Sequence, residues 1–294
     1  MSEQTLIRSK FDATSTALQV IEGIDLHARH AIVTGGASGI GLEIVRALAT
    51  AGATVTIADI DHQTSKRVAA ELQSAAFSVT AAPLDLASFA SIRAFAANTH
   101  EAGYPLHILV NNAGVMAPPL LRTQEGHELQ FGLNYLGHFL LTTLLSDRLR
   151  AANGARLVSV SSIGHRRSDI DFEDPDFRTR PYERWSAYGQ SKTACALLAV
   201  AAQHRWSNDG LTAYAVNPGG SMTGLQRFLT PQELKAQGWL DEEGNIPSRW
   251  ARPRNAPQPR SGPRPPQNSR RPVGAIWRIA TKPAPGHRTR RCRA

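Results

Sequence analysis

The chain has 294 residues, enough for one large domain or two small ones around a sizeable core. Hydrophobic residues make up 41% of the sequence, which is ordinary for a soluble protein, and no apolar run has the length of a membrane span. Its two cysteines, Cys195 and Cys292, are too few for a disulfide framework, and the N-terminus shows no apolar secretory segment. We therefore expect a cytoplasmic protein with no membrane partner.

Charge is divided unevenly along the chain. The formal net charge is +9, but no acidic residue follows Glu243, and residues 246–294 hold 12 arginines, one lysine and 10 of the 18 prolines. The remainder carries 20 basic and 24 acidic residues. These patterns predict an N-terminal arm over residues 1–28, a mildly acidic globular domain over 29–245, and a basic, disordered tail over 246–294.

Apolar, β-rich runs alternate with helical patterns through the globular segment. Strands are predicted at Ala31–Thr34, Thr54–Ala58, Ser78–Ala82, Ile108–Asn111, Arg156–Ser161 and Thr212–Val216, and helices at Gly39–Ala51, Asp61–Ser74, Ser88–Glu101, Glu125–Ala151 and Trp185–Trp206. A short helical excursion over Gly224–Gly244 follows the sixth strand. The alternation predicts an α/β fold of Rossmann type, with a doubly wound parallel sheet covered on both faces.

The first strand runs directly into a glycine-rich turn, Thr34–Gly41, that opens a helix. Gly35, Gly39 and Gly41 let the backbone turn tightly and approach a pyrophosphate, while the helix N-terminus offers free N–H groups to an anion. The spacing differs from the common G-x-G-x-x-G, but strand, turn and helix follow in the order that a dinucleotide site needs. A turn that merely ends the strand is the alternative.

Asp59 stands at the end of the second strand, 20 residues after Gly39. A carboxylate there can accept both hydroxyls of the adenosine ribose, and it repels the 2′-phosphate of NADP. Because no Arg or Lys lies between Gly35 and Gly41 to neutralise that phosphate, we expect NAD to be preferred over NADP. The alternative is that Asp59 only caps the helix that begins near Asp61.

Tyr188 and Lys192 are four residues apart and therefore share one face of a predicted helix. A nearby ammonium favours the phenolate, which makes the tyrosine a usable general acid or base closer to neutral pH. Ser162 follows the fifth strand, and open α/β sheets bind ligands at the carboxyl ends of their strands. Each signal is weak alone, since Tyr–Lys pairs arise by chance and Ser162 could serve only the turn before Gly164.

Together these motifs resemble the short-chain dehydrogenase/reductase family. The motifs Thr34–Gly41, Asn111–Gly114, Asn134, Ser162, Tyr188 with Lys192, and Asn217–Gly219 stand in the order and spacing of that family over roughly residues 15–245. Phe11–Ala17, Arg180–Trp185 and the separation of 26 residues between Ser162 and Tyr188 resemble its retinol-dehydrogenase-like branch.

The resemblance implies an NAD(P)-dependent oxidoreductase that interconverts a small-molecule alcohol and a carbonyl compound. Tyr188 would exchange a proton with the substrate oxygen, and Ser162 would hold that oxygen. Lys192 would assist Tyr188 and bind the nicotinamide ribose. Asn134 would position a water in a proton relay, unless it is only a satisfied polar residue in a helix bend.

The resemblance also implies a set of cofactor contacts along the chain. They are Gly35, Ser38, Gly39, Ile40, Gly41, Asp59, Asp85, Leu86, Asn111, Asn112, Ala113, Gly114, Tyr188, Lys192, Pro218, Gly219 and Thr223. Asp85 and Leu86 would flank the adenine, and Asn111–Gly114 would lie beside the adenosine half. Pro218–Gly219 and Thr223 would lie near the nicotinamide amide.

Several other residues have simpler interpretations. His165–Arg167 is predicted to be a solvated loop rather than a contact to an acidic substrate, and Cys195 a small buried helix residue rather than a nucleophile. The histidines are scattered, so no metal site is expected. A non-catalytic nucleotide-binding protein of the same fold, and a nucleic-acid-associated protein acting through the basic tail, stay open as alternatives, although the tail contains no recognisable binding module.

The substrate is less well defined by the sequence. The insertion Asp169–Arg184 and the segment Gly224–Gly244 are predicted to line the substrate pocket. Their Leu, Phe and Trp residues indicate an apolar alcohol or carbonyl compound, and a preference for NAD favours alcohol oxidation. Fold alone does not identify the substrate.

The tail departs from the family pattern. Members continue into a seventh strand and a final segment that often support homo-oligomers, whereas the nearest candidate here, Val273–Ala280, is interrupted by Gly274 and Arg278. A shifted reading frame is our preferred explanation, and a genuine disordered tail is the alternative. We therefore expect the last strand to be missing or replaced, the sixth strand to have an uncovered edge, and oligomerisation and activity to be impaired.

Overall fold

The computed structural model describes Phe11 and residues 15–247. In this part of the chain the strands are β1 His30–Thr34, β2 Thr54–Asp59, β3 Val79–Pro83, β4 Ile108–Asn111, β5 Arg156–Val160 and β6 Thr212–Val216. The helices are α1 Ala17–Ile21, α2 Gly39–Thr50, α3 His62–Ser74, α4 Phe89–Glu101, α5 Leu129–Phe131, α6 His138–Leu144, α7 Ser146–Ala151, α8 Arg184–Trp206 and α9 Pro231–Ala236. A π-helical turn spans Gly132–Gly137, and 3-10 turns span Ile163–Arg167, Ser207–Asp209 and Gly224–Gln226. The predictions for residues 248–294 lie outside the described residues.

The six strands form one parallel sheet in the order β3-β2-β1-β4-β5-β6. The winding direction reverses between β1 and β4, which pair with Ala31 opposite Ile108. At such a switch point the loops leaving the carboxyl ends of the strands diverge and open a crevice. The doubly wound α/β fold predicted from the sequence is confirmed.

Helices cover both faces of the sheet. Adjacent residues of β1 point to opposite faces, so that Val33 packs in a core with α2 and α3, whereas Ile32 packs in a core with α4, α6 and α7. Both side chains are fully buried. This two-sided burial explains why the strands read as continuous apolar runs.

The single long helix predicted over Glu125–Ala151 is wrong. The helical segment begins only at Leu129, passes through the π-helical turn and is divided again at Leu145. A Cβ atom at Gly137 would stand 2.4 Å from the carbonyl oxygen of Leu86, so glycine allows this turn to approach the loop after β3. The strand predictions are confirmed to within one residue at each end.

Part of the predicted N-terminal arm belongs to the core. Helix α1 is capped by Thr16, whose side chain and that of Gln19 form a capping box. Val20 and Ile21 are buried in the core cluster that includes α2.

Candidate active site

A cavity of about 890 Å³ extends along the carboxyl ends of the strands. Its walls include the residues directly after β1, β3, β4 and β5, and Asp59 at the end of β2. With the exception of Asn111, every cofactor contact implied by the sequence lines this cavity, as does Ser162. The structure therefore brings the separate motifs to one place.

The glycine-rich turn forms one end of the cavity. Gly35 has a φ of +65°, and a Cβ atom at Gly41 would stand only 2.0 Å from the carbonyl oxygen of Gly35. Asn112 braces the turn, since its Nδ2 donates to the carbonyl of Thr34 at 2.9 Å. Ser38 precedes α2 without a side-chain capping bond, which leaves the first N–H groups of the helix available to an anion.

Asp59 connects the end of β2 to the glycine-rich turn. Its Oδ2 accepts from the backbone N–H of Ala37 at 3.1 Å, and its Oδ1 accepts from the N–H of Asp61 at 3.1 Å. The helix cap is Asp61, whose carboxylate accepts from Thr64 N–H at 2.9 Å. The alternative in which Asp59 caps this helix is therefore wrong.

Tyr188 and Ser162 line the other end of the cavity, across β4 from the glycine-rich turn, because the turn follows β1 and Ser162 follows β5. Tyr188 is 5% exposed, and its ring rests on the backbone of Gly164, where a Cβ atom would stand 2.7 Å from Cε1 of the ring and 3.4 Å from Ser162 Oγ. Ser162 Oγ accepts from Gly164 N–H at 3.1 Å, which leaves its own hydrogen for another acceptor. Gly164, which the sequence indicated only as part of a turn, thus holds both side chains.

Lys192 lies one helical turn beyond Tyr188 and is almost fully buried. Its Nζ stands 5.8 Å from the centroid of the Tyr188 ring and donates to the carbonyl of Val160 at 2.9 Å. Ser161 Oγ donates to the carbonyl of Lys192 at 2.7 Å, which joins the end of β5 to α8. The ammonium group is consequently held at the cavity wall beside the candidate acid or base.

Asn134 lies behind this wall in the π-helical turn and is fully buried. Its Oδ1 accepts from Val115 N–H at 2.8 Å, and its Nδ2 donates to the Val115 carbonyl at 3.0 Å and to Ser191 Oγ at 2.9 Å. Gly114 separates it from Lys192, because a Cβ atom there would stand 3.1 Å from Asn134 Oδ1 and 3.7 Å from Lys192 Nζ. These contacts make Asn134 a support for the Gly114–Val115 wall.

One of the implied cofactor contacts lies outside the cavity. Asn111 does not line the cavity: it is buried in the sheet, and its Nδ2 donates to Thr142 Oγ1 at 2.9 Å. The last residue of the Asn111–Gly114 segment borders Lys192 and Asn134. Which half of the dinucleotide this segment contacts stays a prediction.

The prediction that the insertion Asp169–Arg184 lines the pocket is wrong, because none of its residues contributes to the cavity wall. The insertion packs instead against α8 through Gln190, which is fully buried. Gln190 Oε1 accepts from Asp171 N–H at 3.1 Å and Arg180 Nη2 at 2.9 Å, and its Nε2 donates to Pro175 O at 2.8 Å.

A second set of contacts joins the insertion to the loop after β4. Gln130 is buried between them: its Oε1 accepts from Ala117 N–H at 2.9 Å and its Nε2 donates to Tyr182 Oη at 3.1 Å. Tyr182 in turn lies 3.2 Å from Glu128, and burial raises the pKa of that carboxyl group. The insertion therefore braces the active-site helix from outside the cavity.

The segment Gly224–Gly244 does line the cavity, as predicted, through Gly224–Arg227 and Trp239. Met116 and Ile163 add further apolar surface to the same cavity. Sequence reasoning missed these two residues because each follows a recognised motif by one or two positions and has no motif of its own. Within the predicted segment, Arg227 supplies a cationic group to the wall.

His165, Arg166 and Arg167 are exposed in the 3-10 turn after Ser162, in agreement with the predicted solvated loop. Cys195 is buried in α8, where its Sγ donates to the carbonyl of Asn134 at 3.2 Å. Burial raises the pKa of its thiol, which agrees with a packing role rather than a nucleophilic one.

Within residues 15–247 the side chains of His, Cys, Asp and Glu form no group of three or more suited to a metal ion. Across the same described part of the chain, no helix is long and apolar enough to span a bilayer.

A model of the short chain dehydrogenase family matches residues 29–234. The chain belongs to this family. It is therefore an oxidoreductase with a Rossmann-type, NAD(P)-binding fold, and the resemblance found in the motifs is confirmed.

Curated relatives identify the branch of the short-chain dehydrogenases. A "Probable oxidoreductase" of Streptomyces lividans is 49% identical over 225 residues, which covers 76% of this chain and 74% of the relative. Human retinol dehydrogenase 13 is 41% identical over 198 residues, covering 67% and 60%. Mouse polyprenol dehydrogenase is 42% identical over 223 residues, covering 72% and 66%. These similarities support the retinol-dehydrogenase-like branch.

Solved structures of other proteins share the fold. The Pseudomonas aeruginosa RhlG/NADP active-site complex matches with a TM-score of 0.59 and 30% identity, over 72% of this chain and 81% of that chain. The gox2181 structure matches with a TM-score of 0.62 and 27% identity, over 77% and 86%.

Proposed function

We propose that this short-chain dehydrogenase interconverts an apolar alcohol and its carbonyl compound, with NAD(H) as the preferred cofactor and Tyr188 as the acid/base. One observation carries the proposal: a single cavity has the glycine-rich turn at one end and Tyr188, Ser162 and Lys192 at the other. A dinucleotide laid from the first end to the second would bring its nicotinamide to the three side chains.

The glycine-rich turn fits the cofactor on steric and electrostatic grounds. The backbone is so close at Gly35 and Gly41 that a Cβ atom at either position would meet other backbone atoms within 3 Å, so the tight turn needs glycine there. The first N–H groups of α2, which Ser38 does not cap, would be available to a diphosphate. Asp59 and Asp85 would lie at the adenosine end, and Pro218–Gly219 at the nicotinamide end. When bound, the nicotinamide supplies or accepts the hydride.

The chain's own side chains would handle the oxygen and its proton. Tyr188 Oη would take the proton from an alcohol, or return it to a carbonyl compound, and Ser162 Oγ would hold the same oxygen with its unused hydrogen. Lys192, held beside the ring, would stabilise the phenolate and bind the ribose. Since the side chain of Asn134 is engaged with Val115 and Ser191, we assign it a positioning role, and the relay water stays a prediction.

The charges around the cavity support the preference for NAD. Three carboxylates, those of Asp59, Asp61 and Asp85, line it at the ends of β2 and β3. The cationic side chains among the described lining residues are Lys192 and Arg227, and neither follows β2. A 2′-phosphate at the adenosine ribose would meet negative charge without a neutralising partner. RhlG was solved with NADP, so this preference is a property to be tested in the present chain.

Replacing Asp59 with Asn is expected to narrow the discrimination between NADH and NADPH by about tenfold or more, equal to about 1.4 kcal/mol of removed repulsion. The measurement is the ratio of the two dissociation constants by fluorescence titration. Because Asp59 also holds Ala37 N–H, a weakened glycine-rich turn would affect both cofactors alike and leave the ratio unchanged. A wild-type protein that binds NADPH as tightly as NADH would overturn the preference.

The substrate class follows from the wall next to Tyr188. Met116, Leu225 and Trp239 line the cavity there, and they pack with the ring of Tyr188 in one apolar cluster. Two of the relatives are named for the hydrophobic alcohols retinol and polyprenol, which agrees with this substrate class. An apolar wall of this kind favours apolar substrates, because binding removes the apolar surface of both the wall and the substrate from water.

The function is tested by NAD⁺-linked oxidation of alcohols graded from apolar to polar, with Ser162→Ala as a matched control for background activity. We expect turnover that rises with the apolar surface of the alcohol and that falls sharply in the control. Faster turnover of a polar polyol would contradict the substrate class. Cofactor binding without turnover of any alcohol or carbonyl compound would favour a nucleotide-binding protein without catalysis.

A further inference from the structure

His138 is a buried histidine that the proposed chemistry does not use. It follows the π-helical turn, is 2% exposed, and lies between that turn and the end of β1. Its Nδ1 stands 2.8 Å from the carbonyl oxygen of Asn134, and its Nε2 stands 2.8 Å from Thr34 Oγ1. The imidazole ring is thus in contact with both the support residue behind the active-site wall and the residue that opens the glycine-rich turn.

The partners of the ring determine where its hydrogen lies. A carbonyl oxygen can only accept, so Nδ1 must carry the hydrogen that is donated to Asn134. Burial lowers the pKa of His138 to about 4, so the ring is neutral near pH 7 and its Nε2 is an acceptor. The hydroxyl of Thr34 must then donate to Nε2, although the carbonyl of Val110 lies 3.3 Å away as a competing acceptor.

Thr34 Oγ1 also accepts two hydrogen bonds from the predicted cofactor-binding segment. With its hydrogen given to His138, the oxygen has two lone pairs, and it accepts from the N–H groups of Asn112 at 2.9 Å and Ala113 at 3.0 Å. Asn112 and Ala113 both line the cavity, and Asn112 also braces the glycine-rich turn. Every donor and acceptor in this chain of hydrogen bonds has a definite direction.

The π-helical turn makes the first of these bonds possible. In a regular α-helix the carbonyl of Asn134 would accept from the backbone N–H of His138, four residues later. Here that N–H is directed to the carbonyl of Tyr135 instead. The Asn134 carbonyl is thereby left to accept from the His138 ring and from the thiol of Cys195.

We propose that His138 is a positioning residue that couples the Asn134 turn to the cofactor-binding segment Asn112–Ala113 through the hydroxyl of Thr34. Loss of the ring would leave the buried Asn134 carbonyl with the weak thiol donor of Cys195, and it would turn the Thr34 hydroxyl toward the Val110 carbonyl at 3.3 Å, so that the two segments would no longer be joined. The coupling acts on the cofactor site of the proposed function, but its hydrogen-bond pattern exists without cofactor.

The first test is the tautomer of His138 in the wild-type protein, measured by ¹⁵N NMR of histidine-labelled enzyme near pH 7. The resonance is assigned by its loss in His138→Leu. We expect a protonated Nδ1 and an unprotonated Nε2. A ring protonated on Nε2 would overturn the proposal, whether or not the protein binds NAD or turns over any substrate.

The second test is a double-variant cycle on NADH affinity. We expect His138→Leu and Thr34→Val each to weaken NADH binding on the order of tenfold, and the double variant to bind no more weakly than the poorer single variant. Thr34→Ser keeps the hydroxyl and should restore near-wild-type affinity. His107→Leu is the matched control, since it removes another histidine that is hydrogen-bonded to β1, through His30 N–H at 3.1 Å.

His107 lies at the amino end of β4, away from the cavity, so its loss should reduce stability without changing NADH affinity. Circular dichroism identifies the variants that remain folded, and affinity is compared among those. Additive effects of the two variants, or unchanged affinity in His138→Leu, would overturn the coupling. If neither single variant folds, the proposal is tested by two remaining results. It requires near-wild-type NADH affinity in Thr34→Ser and a His138 ring protonated on Nδ1 in the wild type, and it is overturned if either is absent.

Discussion

Replacing Tyr188 with Phe is expected to lower turnover by about 10²–10⁴-fold, the usual contribution of a general acid or base. The phenylalanine ring keeps its contact with Gly164, so the cavity wall should stay in place while the hydroxyl is lost. Dinucleotide affinity should therefore be nearly unchanged. Steady-state turnover and fluorescence titration with NADH measure the two quantities separately.

The matched control for this prediction is Tyr104→Phe. Tyr104 precedes β4 at the opposite end of the sheet, where its ring stacks on His30 with 4.1 Å between the centroids. Loss of its hydroxyl should leave both turnover and affinity close to wild type. Near-native turnover in Tyr188→Phe, on a substrate that the wild type accepts, would mean that another group moves the proton.

Replacing Gly41 with Ala is expected to abolish detectable dinucleotide binding and to destabilise the fold by about 3 kcal/mol, the upper part of the usual range for overpacking. The new Cβ atom would stand 2.0 Å from the carbonyl oxygen of Gly35 and 2.7 Å from Nδ2 of Asn112. Backbone atoms cannot move aside as the end of a flexible side chain can, so the turn itself must shift. NADH titration and thermal unfolding test both effects.

Gly103→Ala separates this steric effect from ordinary backbone strain. Gly103 has a φ of +77°, but a Cβ atom there would have its nearest neighbour at 4.0 Å. Its replacement should cost about 1–2 kcal/mol, the price of a left-handed alanine, and leave NADH binding intact. Wild-type NADH affinity in Gly41→Ala would show that the turn does not hold the cofactor.

The sheet and the cavity at the carboxyl ends of its strands were predictable because their signals are local. Apolar runs such as Ile108–Asn111 indicate strands that are buried on both faces. The glycine-rich turn Thr34–Gly41 follows a strand and precedes a helix directly in the sequence. In a parallel sheet all strands point the same way, so residues that follow different strands must meet. This is why Asp59, Ser162 and Asn112 could be placed in one cavity without coordinates.

The π-helical turn and the position of the insertion could not be predicted in this way. The sequence over Glu125–Ala151 predicted one helix, but the chain forms a π-helical turn there whose Gly137 lies close to the loop at Leu86, a contact that is distant in sequence. The insertion Asp169–Arg184 was predicted to line the substrate pocket. The insertion is held on the outside of α8 instead, because its Asp171, Pro175 and Arg180 form hydrogen bonds with the buried side chain of Gln190.

The role of His138 was hidden for a related reason. A lone histidine in an apolar helix has no motif, and its meaning depends on Thr34, which is 104 residues earlier in the chain. The sequence identified Thr34 only as the first residue of the glycine-rich turn. Its hydroxyl is instead the link between three separate chain segments, which only the tertiary structure reveals.

The π-helical turn at Gly132–Gly137 sets a limit on how this protein can be improved by engineering. A regular α-helix is the more favourable local conformation, so shortening this turn or replacing its glycines with strong helix formers belongs to the usual repertoire for raising thermal stability. In a regular helix, however, the Asn134 carbonyl would accept from the backbone N–H of His138 and would no longer be available to the His138 ring. Heat resistance gained at this place would come at the expense of the active-site wall, whereas exposed positions elsewhere on α2 or α3 offer the same gain without that conflict.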